Sequence, residues 1–244
     1  RDSAERVVRQ LDVSRDAGVH RVSWDLRLPE TDPASFGRGE RAPWDIETGG
    51  VMALPGKYSA SLSQIVDGQQ TELGASVEFE VVDLASGTLA AKGEARTAKF
   101  AFEQKASELS RAAQGASRLV GEISQNLSLL RKAIDATPAL GAEAIAQHEA
   151  LRLRVLDLSA TLSGDPTPRK RSIAATPSIN ERVSYALSTS REATAPPTGT
   201  QKEQYQFAAA EFEKALAELK SLTKDIRALE DVVEKAGGPW TPGR

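Results

Sequence analysis

The sequence predicts an α+β protein of two domains, an N-terminal antiparallel β-sandwich followed by an antiparallel α-helical bundle with two long helices. In the first ~90 residues apolar and polar residues alternate, whereas from about residue 95 apolar residues recur at spacings of three and four. A length of 244 residues suits two domains of ordinary size. We therefore predict the sandwich at residues 1–88, a linker at 89–94 and the bundle at 95–244.

Several segments of the first domain show the two-residue period of a strand with one buried face. The clearest are residues 21–27, 58–62 and 77–81, and residues 7–13 are a further candidate. Trp24 falls on the predicted inward face of the first of them. Asp67-Gly68 suits a turn that needs positive φ, so the segments on either side of it are predicted to form a hairpin with some extra loop.

A segment without periodicity, residues 31–51, separates two of these predicted strands and is rich in glycine and proline. Long irregular loops are uncommon in compact domains and are often functional. Phe36, Arg38 and Trp44 are therefore the candidate interaction residues. The alternative, which the composition favours, is that Trp44 pins the loop onto the sandwich.

After the linker, the spacing predicts one long helix from Ala95 to Ala136, with an apolar heptad seam that requires a partner helix. The seam consists of Leu109, Ala113, Ala116, Val120, Ile123, Leu127, Leu130 and Ile134. A second helix is predicted after Gly141. A third begins at Ser178, where Glu181 completes a capping box.

A last long helix is predicted after the break at 195–199, with a second seam from Phe212 to Val233. Four helices in alternating directions bury such seams against one another. That arrangement returns the end of the last helix to the first domain. Trp240, in the tail that follows, is therefore predicted to be an interdomain anchor.

Composition excludes several classes of function. The chain carries 31 Lys and Arg against 34 Asp and Glu, a net charge of −3, which gives no electrostatic reason to expect nucleic acid or an anionic membrane as partner. It has no apolar run long enough for membrane insertion. With no cysteine it has no disulfide, thiolate metal site or cysteine nucleophile.

The residue types that carry catalysis are sparse or ordinarily placed. His20 and His148 lie in separate predicted domains and are expected to be structural. A glycosidase pair would join Asp25 to Glu40, Asp45 or Glu47, but an ion pair between Asp25 and a neighbouring arginine is favoured. The basic run 169–171 is too short for a nucleic-acid footprint and is expected in an exposed loop. We predict no catalytic, cofactor-binding or metal-binding residue.

Two motifs carry a resemblance to a known family: Gly-Val-His-Arg-Val-Ser-Trp-Asp-Leu-Arg at 18–27 and Leu-Pro-Gly-Lys-Tyr-Ser-Ala-Ser-Leu at 54–62. With the tail from Pro239 to Arg244, they resemble the C-terminal region of bacterial sortilin-like β-propeller proteins, often labelled glycosyl hydrolases with BNR repeats. Ala60 replaces a usually larger residue. The resemblance implies that the sandwich is immunoglobulin-like, that the chain is exported, and that any hydrolase activity belongs to a propeller whose repeats this sequence lacks.

The expected function is that of a non-catalytic structural or protein-interaction module, an accessory region of a larger exported protein. The chain begins at Arg1 without an initiator methionine, which predicts a piece of a longer precursor or a processed product. Its partner would be its own propeller domain or another protein. The alternative is a carbohydrate-binding accessory domain in which Trp24 or Trp44 stacks on sugar, and the inward face predicted for Trp24 counts against it.

Overall fold

The computed structural model describes residues 1–29, 33, 50–84, 90–171 and 173–240, and at Arg169 the backbone only. This part of the chain contains four short strands and five helices. The chain divides into two compact units. Unit 1 comprises Arg1–Ser107 and Ser190–Pro197, and unit 2 comprises Glu108–Thr189 and Thr198–Arg244.

The strands of unit 1 form an interrupted hairpin. Strand β1 (Gly56–Ala60) pairs antiparallel with β4 (Val77–Val81), and β2 (Ser63–Val66) pairs antiparallel with β3 (Gln69–Glu72). The two-residue turn between β2 and β3 is Asp67-Gly68, with φ values of 49° and 78°. Positive φ at both positions is what a turn matched to the strand twist requires, so the predicted hairpin is confirmed.

The predicted immunoglobulin-like β-sandwich is wrong. Within the described residues each sheet has two strands, and neither 7–13 nor 21–27 forms a strand. Leu26 has a φ of 58°, which lies outside the range of a strand. The residues that alternate around Trp24 therefore form an irregular segment. Backbone hydrogen bonds join its C-terminal end, at Leu26 and Leu28, to Val51 and Ala53.

An aromatic cluster takes the place of the expected sheet packing in unit 1. The Trp24 ring lies edge-on to Tyr58 and Phe79, with centroid distances of 5.3 and 6.2 Å, and the last two rings stack at 6.0 Å. The Trp24 indole N–H donates to the Arg27 carbonyl at 2.9 Å, and the Tyr58 hydroxyl donates to that of Leu54 at 2.6 Å. Burial raises the pKa of Tyr58, and the charge of Asp2 adds to the effect. Trp24 is therefore a packing residue.

The helices follow the sequence pattern closely. They are α1 (Glu94–Asp135), α2 (Ala142–Ser163), α3 (Pro166–Lys170), α4 (Ile179–Arg191) and α5 (Gly199–Lys235). The bounds predicted for α1 are confirmed to within one residue at each end, whereas the short α3 lies in a segment expected to be a loop. The capping box at α4 is present, because the Ser178 N–H donates to Glu181 at 2.9 Å and the Glu181 N–H donates to the Ser178 hydroxyl at 3.3 Å.

The core of unit 2 is built from the two predicted seams. On α1, all seam residues after Leu109 are buried, and Leu109 itself packs against the core. The buried residues of the other three helices that join them include Leu151, Val155, Leu158, Leu162, Ile179, Val183, Leu219, Leu222, Ile226, Leu229 and Val233. One continuous cluster therefore joins α1, α2, α4 and α5.

Helices α2 and α4 lie end to end beside α1. The Ser163 hydroxyl at the end of α2 donates to Ser117 on α1 at 3.2 Å, and Asn180 in the first turn of α4 donates to the same Ser117 oxygen at 2.9 Å. At the other end of α2, a ring nitrogen of His148 is 2.8 Å from the Leu127 carbonyl of α1. Helix α2 is thus antiparallel to α1.

The contacts along α5 show the same order. From the N-terminal to the C-terminal end of α5, side-chain hydrogen bonds join Gln201 to Thr189, Gln204 to Arg182 and Glu218 to Arg154. Helix α4 and then α2 therefore run antiparallel to α5 in one shared row. The sequence predicted four helices in four alternating rows, whereas the structure has three rows. The reason is length, because α2 and α4 have 22 and 13 residues and together cover the 37 residues of α5.

The C-terminal ends of α1 and α5 meet. Gly237 has a φ of 75° and Gly238 donates its N–H to Val233 at 2.9 Å, the bond pattern of a Schellman motif. A Cβ on Gly238 would come within 2.7 Å of the Thr137 hydroxyl, so glycine is required there. Trp240 follows this turn and is buried in the core of unit 2. Its burial is explained within the bundle, and an interdomain role stays a prediction.

We expect Leu130→Ala to lower the free energy of unfolding by about 2–5 kcal/mol, because the side chain is 0% exposed in the seam of α1. The matched control is Leu129→Ala, since Leu129 is the next residue of the same helix and is 53% exposed. The control should change stability by less than about 1 kcal/mol. Urea denaturation of both variants measures the difference, and equal losses would contradict the burial of this seam.

An ion pair between α2 and α5 makes a pH-dependent contribution to the free energy of unfolding. Arg154 donates to Asp225 at 2.7 Å and lowers the pKa of that carboxyl below its usual value. A carboxyl group whose pKa is lower in the folded state than in the unfolded state stabilises the fold at pH values above its unfolded-state pKa. This stabilisation is lost as the pH falls through the folded-state pKa. Asp225→Asn should therefore be less stable than the parent at pH 7, with the gap closing below about pH 4.

Urea midpoints measured from pH 7 down to pH 3 test this expectation. Asp157→Asn, which removes an exposed carboxylate of α2, is the control for the change in net charge. A gap between the parent and Asp225→Asn that stays constant across the range, or one that the control reproduces, would show that the ion pair does not carry the effect.

Candidate binding cavity

Unit 1 contains a cavity of about 120 Å³ whose walls come from four separate stretches of the chain. Among the residues that the structure describes, twelve line it: Arg27, Met52, Ala53, Leu54, Ala91, Arg96, Lys99, Phe100, Glu103, Arg191, Ala193 and Thr194. The stretches are the segment after Trp24, the approach to β1, the first turns of α1 with the residue ahead of them, and the end of α4 with the residues that follow it.

Backbone hydrogen bonds fix two of these stretches against each other. Leu28 donates to Val51 at 2.9 Å and Ala53 donates to Leu26 at 2.7 Å. The backbones approach so closely that a Cβ on Gly50 would lie 2.2 Å from the carbonyl oxygen of Pro29. Gly50 is therefore required for the ladder that places Arg27 beside Met52.

A single backbone bond joins the other two stretches, since Ala91 donates to the Thr194 carbonyl at 2.8 Å. Four lining residues of α1 lie on one face, because positions 96, 99, 100 and 103 are spaced by three, one and three along the helix. The walls of the cavity thus rest on a helix face and on two backbone pairings.

The lining divides into an apolar part and a cationic part. Six residues are apolar: Met52, Ala53, Leu54, Ala91, Phe100 and Ala193. A cavity of about 150 Å³ holds a benzene molecule, so this one accommodates a single small group. Within the described part of the lining, the charged residues are the cations Arg27, Arg96, Lys99 and Arg191 and the acid Glu103.

Lys99, Glu103 and Ser190 form a buried polar cluster at the inner wall. Lys99 Nζ contacts Glu103 Oε1, the Ser190 carbonyl at 2.5 Å and the Ser190 hydroxyl at 3.1 Å. The Ser190 hydroxyl in turn donates to Glu103 at 2.8 Å. The three N–H donors of the ammonium therefore have three acceptors. The cluster ties the end of α4 to the second turn of α1.

A serine in contact with a lysine also occurs in the nucleophilic sites of Ser–Lys enzymes, so a catalytic role has to be considered for this cluster. Lys99 Nζ has Glu103 and Ser190 as its hydrogen-bonding partners, so the contacts of the nitrogen lie within the cluster. Ser190 is buried and is absent from the cavity lining, so a substrate in the cavity does not reach its oxygen. We conclude that the cluster is structural.

The three arginines of the lining are each held by hydrogen bonds. Arg27 donates to the Gly50 carbonyl at 3.2 Å, Arg96 to Ala91 at 3.1 Å and Arg191 to Ser107 at 3.0 Å. Arg96 also pairs with Asp83 at 2.9 Å, which reduces the local charge by one. These bonds hold the three arginine side chains in place around the cavity.

The described lining of the cavity contains none of the site residues predicted from the sequence. Phe36, Arg38 and Trp44 fall outside the described residues, as do Glu40, Asp45 and Glu47. A carboxylate oxygen of Asp25 lies 4.0 Å from the guanidinium of Arg9, which is distant in sequence, and the neighbouring Arg27 contributes only a backbone N–H donor at 2.9 Å. Trp24 packs in the aromatic cluster and Trp240 in the core of unit 2.

The two histidines have structural surroundings, as expected. The exposed His20 has a ring nitrogen 2.8 Å from the Asp16 carbonyl, and the buried His148 contacts Leu127. Among the residues that the structure describes, no three His, Asp or Glu side chains are placed to hold a metal ion. Within the same ranges, no helix is both long enough and apolar enough to cross a membrane.

Comparison with protein-family models, with curated proteins and with solved structures finds no match to this chain. The cavity is therefore interpreted from its own geometry and charge. The resemblance to sortilin-like proteins stays a prediction from the motifs at 18–27 and 54–62.

The buried pair Lys99–Glu103 should be strongly coupled. Their side chains are 14% and 6% exposed, so Lys99→Met leaves a buried carboxylate without its cation and should cost about 3–5 kcal/mol of unfolding free energy. The double variant Lys99→Met, Glu103→Leu removes both charges and should recover most of that loss. Chemical denaturation of the two single variants and the double variant forms the cycle. Additive losses would show that the two charges do not interact.

Proposed function

We propose that the chain is a non-catalytic protein-interaction module that recognises its partner at the cationic cavity of unit 1. The observation that carries this proposal is the convergence of four cationic side chains, from separate stretches, around an apolar floor. Two of these cations have anionic partners within the chain, because Lys99 pairs with Glu103 and Arg96 pairs with Asp83. Clustered arginines beside an apolar cavity are typical of recognition surfaces.

The size of the cavity favours a protein partner. A volume near that of one benzene molecule takes a single side chain or chain end, and does not take a sugar chain. Met52 stands at the rim with 51% of its surface exposed, and methionine is adaptable at binding surfaces. An anchor group in the cavity, surrounded by weaker contacts at the rim, is the usual form of a protein interface.

The carbohydrate-binding alternative has less support. Trp24, one of its two proposed stacking residues, has its ring against Tyr58 and Phe79 and its N–H bonded to a carbonyl. Trp24 thus already has packing and hydrogen-bonding partners within unit 1. The second residue, Trp44, lies outside the described residues.

We further propose that the module is an accessory region of a larger exported β-propeller protein. What supports this is the resemblance of the motifs at 18–27 and 54–62 and of the tail that begins at Pro239. On this proposal the partner is the propeller of the same protein or a second exported protein. The immunoglobulin-like sandwich that the resemblance also implied is not part of the proposal.

A photo-crosslinking amino acid at position 52 tests the interaction in the natural host. Substitution at Met52 should yield an adduct with a discrete polypeptide, because this side chain lines the cavity and reaches its rim. The matched control is the same substitution at Leu62, which is 50% exposed in the same unit and does not line the cavity. Identical adducts at both positions, or none at position 52, would contradict the proposal.

A further inference from the structure

The two edges of the β1–β4 sheet have different neighbours. Along the β1 edge, the Ser59 N–H donates to the Arg1 carbonyl at 3.0 Å, and Asp2 forms a bridge with Tyr58. Among the elements that the structure describes, β4 pairs with β1 and with no other strand. The side of β4 that faces away from β1, here named the free edge, therefore has backbone N–H and C=O groups that no described strand pairs.

The free edge has little of the protection that edge strands usually have. Such strands are commonly protected by charged residues, a proline, a bulge or a covering helix. β4 contains no proline, pairs with β1 in an unbroken register, and has no described helix beside it. Its apolar side chains are accessible, since Val77 is 65% and Phe79 is 40% exposed. Charge is therefore the one protective feature that remains, and an edge of this kind can accept a strand of matching charge.

Two glutamates determine which kind of strand fits. Glu78 and Glu80 lie on one face of β4, whereas Val77, Phe79 and Val81 lie on the other. Antiparallel pairing of two copies of β4, centred on Glu78, Phe79 or Glu80, sets glutamate opposite glutamate, and parallel pairing in register does the same. Like charges directly opposite each other in a sheet are destabilising. A second copy of this chain is therefore disfavoured at the free edge.

The strand that already pairs with β4 shows the complementary chemistry. In the β1–β4 register, Lys57 lies opposite Glu80 and Tyr58 lies opposite Phe79. Both Glu78 and Glu80 are exposed, and within the described residues neither has an ion-pair partner. Cross-strand pairs of opposite charge and pairs of apolar residues stabilise a sheet. A strand at the free edge therefore matches β4 when it has cations on one face and apolar residues on the other.

We propose that the free edge of β4 accepts an extended segment of another polypeptide, in which apolar residues alternate with lysine or arginine. Main-chain hydrogen bonds to β4 supply the affinity, and the two faces of β4 select the side chains. The described lining of the cavity contains no residue of β4. The free edge is thus a second interaction surface, and the inference does not rest on the proposed function.

The experiment is titration of the full chain with a capped synthetic heptapeptide, Ser-Val-Lys-Val-Lys-Val-Ser, followed by amide resonances in two-dimensional NMR. We expect saturable shifts centred on residues 77–81. The same peptide with glutamate in place of both lysines should bind at least about tenfold more weakly, because two cross-strand attractions become repulsions. Equal binding of the two peptides, or no saturable shift with the lysine peptide, would overturn the inference.

Two N-methylated forms of the lysine peptide test whether it binds by strand pairing. Alternate residues of a strand direct their backbone groups to opposite edges. Methylation of the lysine amides and methylation of the valine amides therefore remove donors from opposite sides of the peptide. One form should lose binding and the other should keep it. Equal affinities of the two forms would mean that charge alone holds the peptide, which is contrary to the proposal.

Glu78→Lys is the matching variant of the chain. It should weaken binding of the lysine peptide about three- to tenfold and strengthen binding of the glutamate peptide. The matched control is Glu72→Lys, because Glu72 is an exposed acid of β3 that lies opposite a serine, as Glu78 does. The control should leave both affinities unchanged, and equal effects of the two variants would contradict the role of β4. Amide spectra confirm that each variant is folded, and the peptide comparisons use the unaltered chain.

Sedimentation velocity of the parent chain over a range of concentrations tests a second copy as the occupant. Self-association that the lysine peptide disperses would assign the free edge to another copy of the chain and overturn the proposal. The proposed function is tested separately by the crosslink at position 52. An adduct there without peptide binding at β4 leaves the cavity interaction standing and removes this inference, and peptide binding without an adduct does the reverse.

Discussion

The buried stripe along α1 is the constraint on which the rest of the structure depends. From Ala113 to Ile134 its residues pack against α2, α4 and α5 in one core, so the position of each helix of unit 2 follows from this stripe. The shared row of α2 and α4 is a direct consequence. An apolar edge of this length has to be covered throughout, and neither shorter helix covers it unaided.

The buried face of α1 continues toward the N-terminus of the helix, beyond the apolar residues of the stripe. Positions 99, 106, 113 and 120 are seven residues apart, so Lys99 occupies the same helical phase as the buried Val120. Glu103 and Ser107 are also buried in unit 1. Helix α1 therefore carries its buried face into unit 1 while changing its chemistry from apolar to polar. A buried charge is tolerated when it is paired and hydrogen-bonded, and the Ser190 hydroxyl and carbonyl supply what the Lys99–Glu103 pair lacks.

The features that the sequence predicted correctly have local causes. The bounds of α1, the capping box at Ser178 and the turn at Asp67-Gly68 each depend on residues close together in the chain. The sandwich was predicted from alternation around Trp24, and alternation reports a buried face without identifying what buries it. In this chain two aromatic rings of the hairpin partly cover Trp24 alone, since Val22 and Leu26 are exposed. A positive φ at Leu26 also ends any strand. The helices form three rows and not four because α4 is short and shares a row with α2. The sequence indicated that α4 is short, but it did not indicate where α4 lies.

The cavity escaped sequence analysis because its residues come from positions 27 to 194, and no local pattern links them. One signal was present: two charged residues, Lys99 and Glu103, lie four apart on the buried phase of a predicted helix, where apolar residues are the rule. Such a conflict between periodicity and polarity marks a place where another element must satisfy the charges. Because the acid and the lysine satisfy each other and Ser190, they contribute little net field. The burial of this ion pair is therefore possible because a third residue, brought close by the fold and distant in sequence, completes its hydrogen bonds.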